Sequence, residues 1–248
     1  SSYEIKDTFF FNPIMLIAEE EKEVKVKLSK ENEGYEFVIM SRVLSSHTDG
    51  NENVRGSFRQ LTESVNNKSD FSSILRRCTA KQNVKDNSID RKHMNFGPRW
   101  KNLEELYFGK NEAVAKISLP QEFNSDLSSF KIHPALLDTA TGCAQALAGF
   151  DLDKEFYLPF SYSKIIVNEN LPQNFYSHIR YRTTENKNSN TAVYDITIFD
   201  ESGNVIVDIN EFVMKKSAFD EQAKSTQQAV HSEIVEGVHN PVNPRVTS

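Results

Sequence analysis

The sequence predicts an α+β protein in which antiparallel strands wrap around a central helix, a unit written twice with its first copy incomplete. Three observations carry this. Most apolar residues alternate with polar ones at the two-residue period of half-buried strands. One stretch, Phe130 to Leu147 (FKIHPALLDTATGCAQAL), has the period of a helix instead. A weak internal repeat is also present: a proline-bearing apolar strand followed by two or three alternating strands occurs at Phe9 to Phe58 and again at Phe156 to Met214.

Taken in order, Phe9 to Ile17 is apolar and broken by Pro13, which suits a strand entering at an edge or through a bulge. Val24, Val26 and Leu28 alternate with lysines, Gly34 to Arg42 reads as the next strand across a turn, and Val54 to Phe58 as a further short one. From Leu61 to Arg91 the residues are mostly Asn, Ser, Lys and Asp, and Phe71 to Leu75 is the part suited to a short helix or turn. Phe96-Gly97-Pro98 marks a turn, Leu103 to Phe108 a short helical or extended piece, and Glu112 to Leu119 a strand. After the helical stretch come strands at Phe156 to Val167, interrupted by Pro159, at Phe175 to Tyr181 and at Tyr194 to Ile198. A hairpin turn at Asp200 to Asn204 leads to the returning strand Val205 to Met214. The expected division is a partial first unit at 1–62, a linker at 63–92, a second unit at 93–217 and a flexible, polar linker at 218–248 that carries Pro241 and Pro244.

The helix is sharply started. The residue before a proline is pushed out of helical geometry, and Pro134 has the backbone angle wanted at a first helical position, so His133 should precede the first turn. Leu136, Ala140, Cys143 and Leu147 recur at helical spacing, which predicts a long helix over 134–148 buried against the second sheet. Asp138 lies inside this apolar stretch. Gly142, one turn above it, removes bulk where a ligand or another backbone can approach the carboxylate. Helix position alone leaves two readings of Asp138 open: an acid answering exposed N–H groups and the helix dipole, or a functional carboxylate. The second unit has this helix before its strands, whereas the first begins almost at residue 1 without one. On the repeat reading, either the chain is a fragment or the first unit's helix comes from elsewhere.

Composition narrows the function classes. The chain has 248 residues, 38% hydrophobic and 26% charged, as a water-soluble globular protein does. No apolar run reaches membrane-spanning length, no signal-peptide order opens the chain, and a cytoplasmic location is expected. A net charge of −6 argues against nucleic acid as the main partner. Cys78 and Cys143 give neither a disulfide framework nor metal-ligand spacing. Phosphate-binding loops, dinucleotide fingerprints, zinc motifs and Gly-x-Ser-x-Gly are all missing, so no metal and no directly bound cofactor is expected.

Several motifs resemble one family. His133-Pro134-Ala135-Leu136-Leu137-Asp138 is similar to the second-half signature of polyketide synthase dehydratase domains, and Phe96-Gly97-Pro98-Arg99-Trp100 to that family's Tyr-Gly-Pro-x-Phe turn. Leu158-Pro159-Phe160 is similar to the strand start after the Asp helix, and Gly203 to Met214 to the closing hairpin. The resemblance runs from about Asp7 to Ser217. It implies a double-hotdog fold, two sheets each wrapped around a helix, with the first hotdog incomplete here. It further implies a β-hydroxyacyl substrate carried on the phosphopantetheine arm of an acyl carrier protein, neighbouring synthase domains as partners, and a homodimer formed through the parent synthase. Asp138 is implied as the general acid, with Phe96, Gly97, Pro98, Gly142, Leu158 and Pro159 lining the substrate site.

Dehydration needs a base for the α proton and an acid for the departing hydroxyl, and the family supplies a His and an Asp. Three features depart from its pattern. The His-x-x-x-Gly-x-x-x-x-Pro motif is missing from this sequence, Gly142 stands where Gln or His is usual, and Phe96 replaces Tyr. Of the six histidines, His47 has Gly50 three residues later but falls in a strand connection. His133 suits helix capping, His178 a polar strand face, and His93, His231 and His239 loops or tail. The leading expectation is a dehydratase-type domain whose His lies on other residues. The alternatives are a relative with altered chemistry, a pyran-forming cyclase, double-bond-shifting isomerase or chain-branching domain, and a catalytically silent domain.

Overall fold

The computed structural model describes residues 2–16, 20–46, 49–62, 68–84, 96–149, 157–182 and 190–216. The elements are β1 (Tyr3–Phe10), β2 (Lys22–Glu31), β3 (Gly34–Val43), β4 (Asn51–Gln60), α1 (Phe71–Arg77), β5 (Ala80–Gln82), β6 (Leu103–Phe108), β7 (Glu112–Ser118), α2 (Pro134–Gly142), β8 (Tyr157–Val167), β9 (Asn174–Arg182), β10 (Thr191–Phe199) and β11 (Val205–Lys216). Short 3-10 turns occupy Pro98–Trp100, Gln121–Ser128 and Gln145–Ala148. All the strands join one eleven-stranded sheet in the order β2-β3-β4-β1-β8-β11-β10-β9-β7-β6-β5. Every pairing is antiparallel, and β1 against β8 joins the two halves edge to edge.

The repeat read from sequence is visible in this order. Outward from the central pair, one side runs β1-β4-β3-β2 and the other β8-β11-β10-β9, the same sequence of strands in mirror arrangement. Beyond β9 the second half continues into β7, β6 and β5, while β2 ends the sheet on the first side.

α2 packs on the inner face of β7 and β9. Ala135, Leu136 and Ala140 are buried there, and Ser177 Oγ on β9 donates to the Ala140 carbonyl at 2.8 Å. The core formed with Ile179, Ile196, Ile209 and Phe212 is the apolar face of alternating strands closed by the apolar stripe of a helix. Inner-face register passes from Ile165 to Ile5, from Ile5 to Phe58 and from Phe58 to Tyr35. On the same face Phe37 lies opposite Leu28, with Val26 and Val24 at alternate positions beyond. No described helix covers this half, and Val24, Val26 and Leu28 are 50%, 60% and 56% exposed.

Several boundaries differ from the sequence reading. The first strand is Tyr3–Phe10 rather than a run from Phe9, because it hydrogen-bonds to strands on both sides and Pro13, with no N–H, falls beyond its end. α2 stops at Gly142 instead of continuing to 148. Thr141 Oγ1 bonds back to the Leu137 carbonyl at 3.0 Å, glycine follows, and the chain then tightens into a 3-10 turn ending at Gly149 with φ 74°. In the stretch expected as linker, α1 packs on the sheet's outer face, with Phe71 against Tyr176 and Ile74 and Cys78 beside Val114 and Phe199. Burial pushes the Cys78 thiol up to about 11. The β10–β11 turn requires Gly203, whose φ is 80° and whose added Cβ would lie 2.6 Å from the Ser69 carbonyl oxygen. The tail at 217–248 lies outside the described residues. Among the described residues no helix is long and apolar enough to cross a membrane.

Candidate active site

Asp138 lies one turn into α2 and is half-buried. Its Oδ2 accepts a hydrogen bond from Trp100 Nε1 at 2.7 Å. Trp100 closes the 3-10 turn that Gly97 and Pro98 begin, and Phe96 packs on its indole with ring centroids 5.9 Å apart. Gly97 and Pro98 are exposed: they shape the turn and do not cover the carboxylate.

Two anchors hold this turn to the helix. The fully buried Asn102 donates from Nδ2 to the Arg99 carbonyl at 2.9 Å and to the Ala135 carbonyl at 3.1 Å, so one amide joins the turn to α2. Arg99 bonds Asp126 Oδ2 at 2.6 Å and lies over the Phe123 ring, and His133 Nε2 meets the same Asp126 oxygen at 3.4 Å. The Arg99 guanidinium, with His133, holds the Asp126 carboxyl below the usual carboxylate range. His133 is therefore buried against Asp126 and Phe130, and its side chain makes no capping hydrogen bond. The capping expectation is corrected: the imidazole is turned to Asp126 and bonds none of the first-turn N–H groups.

Tyr162 is close enough to Asp138 to feel its charge. Burial raises the pKa of its phenol and the nearby Asp138 carboxylate adds to this, while a hydrogen bond with Thr141 opposes it. Its ring stacks on Phe212 at 4.6 Å and meets Phe10 edge-on at 5.9 Å. Phe10 is also one wall of a cavity of about 340 Å³ lined with Phe11, Leu158, Pro159, Phe160 and Lys215. The structure thus groups Asp138 with Phe96 through Trp100, and sets Leu158 and Pro159 in a groove one ring beyond Tyr162. Gly142 is buried at the end of α2.

His178 lies on a polar strand face, as expected, but that face is covered. It is buried on the outer side of β9, with Nε2 2.7 Å from Glu112 Oε2, and Arg77 from α1 clamps the same carboxylate at 2.6 and 2.9 Å. Its neighbour Ser177 faces α2, so His178 points away from Asp138. His47, His93, His231 and His239 lie outside the described residues.

Comparison with known proteins decides the family. The model described as the polyketide synthase dehydratase N-terminal domain matches residues 67–224, more than half of the chain. The chain belongs to the polyketide synthase dehydratase family. Polyketide synthase PksM of Bacillus subtilis (strain 168) is 30% identical over 122 residues, 46% of this chain and 3% of that protein. Polyketide synthase PksN of the same organism is 28% identical over 116 residues, 47% of this chain and 2% of that one. The chain thus spans a few per cent of the length of these relatives. The dehydratase domain from the CurF module of Curacin polyketide synthase superposes with a TM-score of 0.74 at 21% identity, covering 87% of this chain and 76% of that one. An N-terminal dehydratase from the difficidin assembly line gives 0.74 at 20% identity, covering 91% and 81%. The fold of this dehydratase-family chain is the double hotdog.

Trp100, Asn102 and Tyr162 were not among the residues singled out from sequence as site residues. The signals were there for two of them: Trp100 is the chain's one tryptophan and follows a Gly-Pro turn, and Tyr162 lies in an apolar strand start. Asn102 had none, since an asparagine after a turn is ordinary until its carbonyl partners are seen.

Proposed function

We propose that this chain is the Asp-bearing part of a dehydratase-type domain of a modular polyketide synthase, acting on a β-hydroxyacyl chain tethered to an acyl carrier protein. Asp138 is the general acid: it gives a proton to the departing β-hydroxyl while a base removes the α proton, and water leaves as the double bond forms. The observation that carries this reading is a half-buried carboxylate on an otherwise apolar central helix, with one oxygen held by an indole N–H. Such a group is oriented and partly shielded from water, as an acid working on an acyl chain needs to be.

The base is assigned to residues outside this sequence. His133 is committed to Asp126 and His178 to Glu112 on the outer face, so neither described histidine stands across a substrate from Asp138. The inner face of β2, with Val24, Val26 and Leu28 exposed, is where a helix carrying that base fits, by analogy with α2 on the second half. Altered chemistry on the same fold is the second reading, favoured by Phe96, which brings a ring and no hydroxyl to the turn, and by Gly142, which brings no side chain.

The test presents this polypeptide, and a version extended upstream in its parent protein, with a β-hydroxyacyl carrier protein and follows the mass on the carrier arm. Loss of water mass with the extended version alone is expected, and Asp138→Asn in it should reduce turnover by about 10²- to 10⁴-fold. Undiminished turnover in that variant removes Asp138 from the site. Rearrangement of an unsaturated acyl carrier protein at unchanged mass, seen as a shift in chromatographic retention, favours the cyclase or isomerase reading.

A further inference from the structure

We propose that Trp100 is a positioning residue for Asp138, one that holds Oδ2 and reserves Oδ1 as the oxygen that carries and delivers the proton. The inference rests on the assignment of Asp138 as the acid and deepens it.

A carboxyl group that protonates a leaving hydroxyl must present one particular oxygen. Rotation about its terminal bond exchanges the two oxygens easily, because that torsion is broad and two-fold. An indole N–H is a donor with no acceptor capacity. At 2.7 Å it binds Oδ2 as an acceptor, and Oδ2 cannot at the same time carry a proton aimed at Trp100. The carbonyl oxygen of a neutral carboxyl is its better acceptor, so this bond favours the arrangement with the proton on Oδ1. Among the described residues no hydrogen-bond partner occupies Oδ1, so it is the oxygen left for substrate. Gly142, one turn further along α2, has no side chain with which to restrain the carboxyl from the helix itself.

The indole is itself fixed. Phe96 packs on one side, the turn is tied to α2 by Asn102, and Arg99 beside it is tied to Asp126. Rigid support of this kind keeps a short hydrogen bond directional rather than merely close.

Because Trp100 is the only tryptophan in the sequence, the full chain has a single indole N–H resonance. In a ¹⁵N-labelled sample the indole proton is expected downfield in the unsubstituted chain, as a short bond to a carboxyl oxygen makes it, and to move upfield in Asp138→Ala. An indole signal that keeps its position in Asp138→Ala overturns the proposal. Replacing Trp100 by its benzothienyl isostere, which keeps the shape and lacks the N–H, separates donor from packing. In the upstream-extended polypeptide this replacement should lower kcat by about 10- to 100-fold with KM little changed. An isostere with full kcat sinks the positioning role. If the extended polypeptide turns over no substrate at all, the acid assignment fails while the indole shift still reports whether Trp100 restrains Asp138.

Discussion

Asn102 shows how much a single side chain decides here. It is fully buried, and its amide bridges the Arg99 carbonyl in the turn and the Ala135 carbonyl in α2, so the distance between Trp100 and Asp138 depends on it. Truncating such a residue loses both bonds and leaves polar atoms buried without partners, which costs about 1–3 kcal/mol. We expect Asn102→Ala to lower the unfolding free energy by that amount in denaturant titration and to shift Trp100 fluorescence in the folded state. An unshifted spectrum with full stability would show that the turn is held without it. This position illustrates what sequence withholds at residue scale. Asp138 stood out because an acid in an apolar helix is anomalous, whereas Asn102 is conspicuous once the two carbonyls it spans, one of them on another element, are known.

Elements with strong periodicity were legible from sequence, and those defined by partners less so. β2 announces itself by alternation and β3 by its apolar run after a turn, whereas only Val54 to Phe58 of β4 reads as strand, and Pro134 starts α2 at the position expected of it. The end of α2 was missed because small residues continue the apolar pattern past Gly142 while the backbone does not continue the helix. β2 also bears on function. Its strand equivalent in the other half, β9, is bordered by β7 and faces α2, yet β2 ends the sheet with Val24, Val26 and Leu28 exposed on its inner face. A row of apolar side chains beside an unpaired strand edge is a surface that proteins ordinarily cover. Val26→Cys places a thiol in that row, against a background in which Cys78 and Cys143 are both buried. It should react rapidly with a maleimide in this chain and about tenfold or more slowly in the upstream-extended polypeptide. Equal rates would mean that the upstream residues leave this face bare.

At the scale of the whole molecule, the outer face of the second half is closed by a helix from the stretch between the two units, and its ionic cluster sets a pH dependence. His178 read as a residue on a polar strand face, since it alternates there with Tyr176 and Arg180. That α1, about a hundred residues earlier, lies over the same face was not encoded in any local pattern. Burial holds the His178 imidazole below the ordinary histidine value of 6.5, with Arg180 and Arg77 adding to the effect and Glu112 opposing it. The folded protein thus keeps His178 neutral where the unfolded chain takes up a proton. Above pH 6.5 both states are neutral and this group costs nothing; below it the unfolded state is favoured, so stability is lost as pH falls toward the folded value. One such group contributes at most about 1.4 kcal/mol per pH unit to the slope. Glu112, held low chiefly by Arg77, and Asp195, held low by Arg182 against the effect of burial, add stability above the ordinary carboxylate range that is lost only at lower pH. Thermal melting should therefore be flat from pH 8 to about 7, decline below about 6.5 through His178, and steepen in the acid range through the carboxylates. His178→Gln, which is uncharged and still able to donate to Glu112, should remove the first decline and leave the second. A variant that melts with the same pH profile as the unsubstituted chain would place the source of that decline elsewhere.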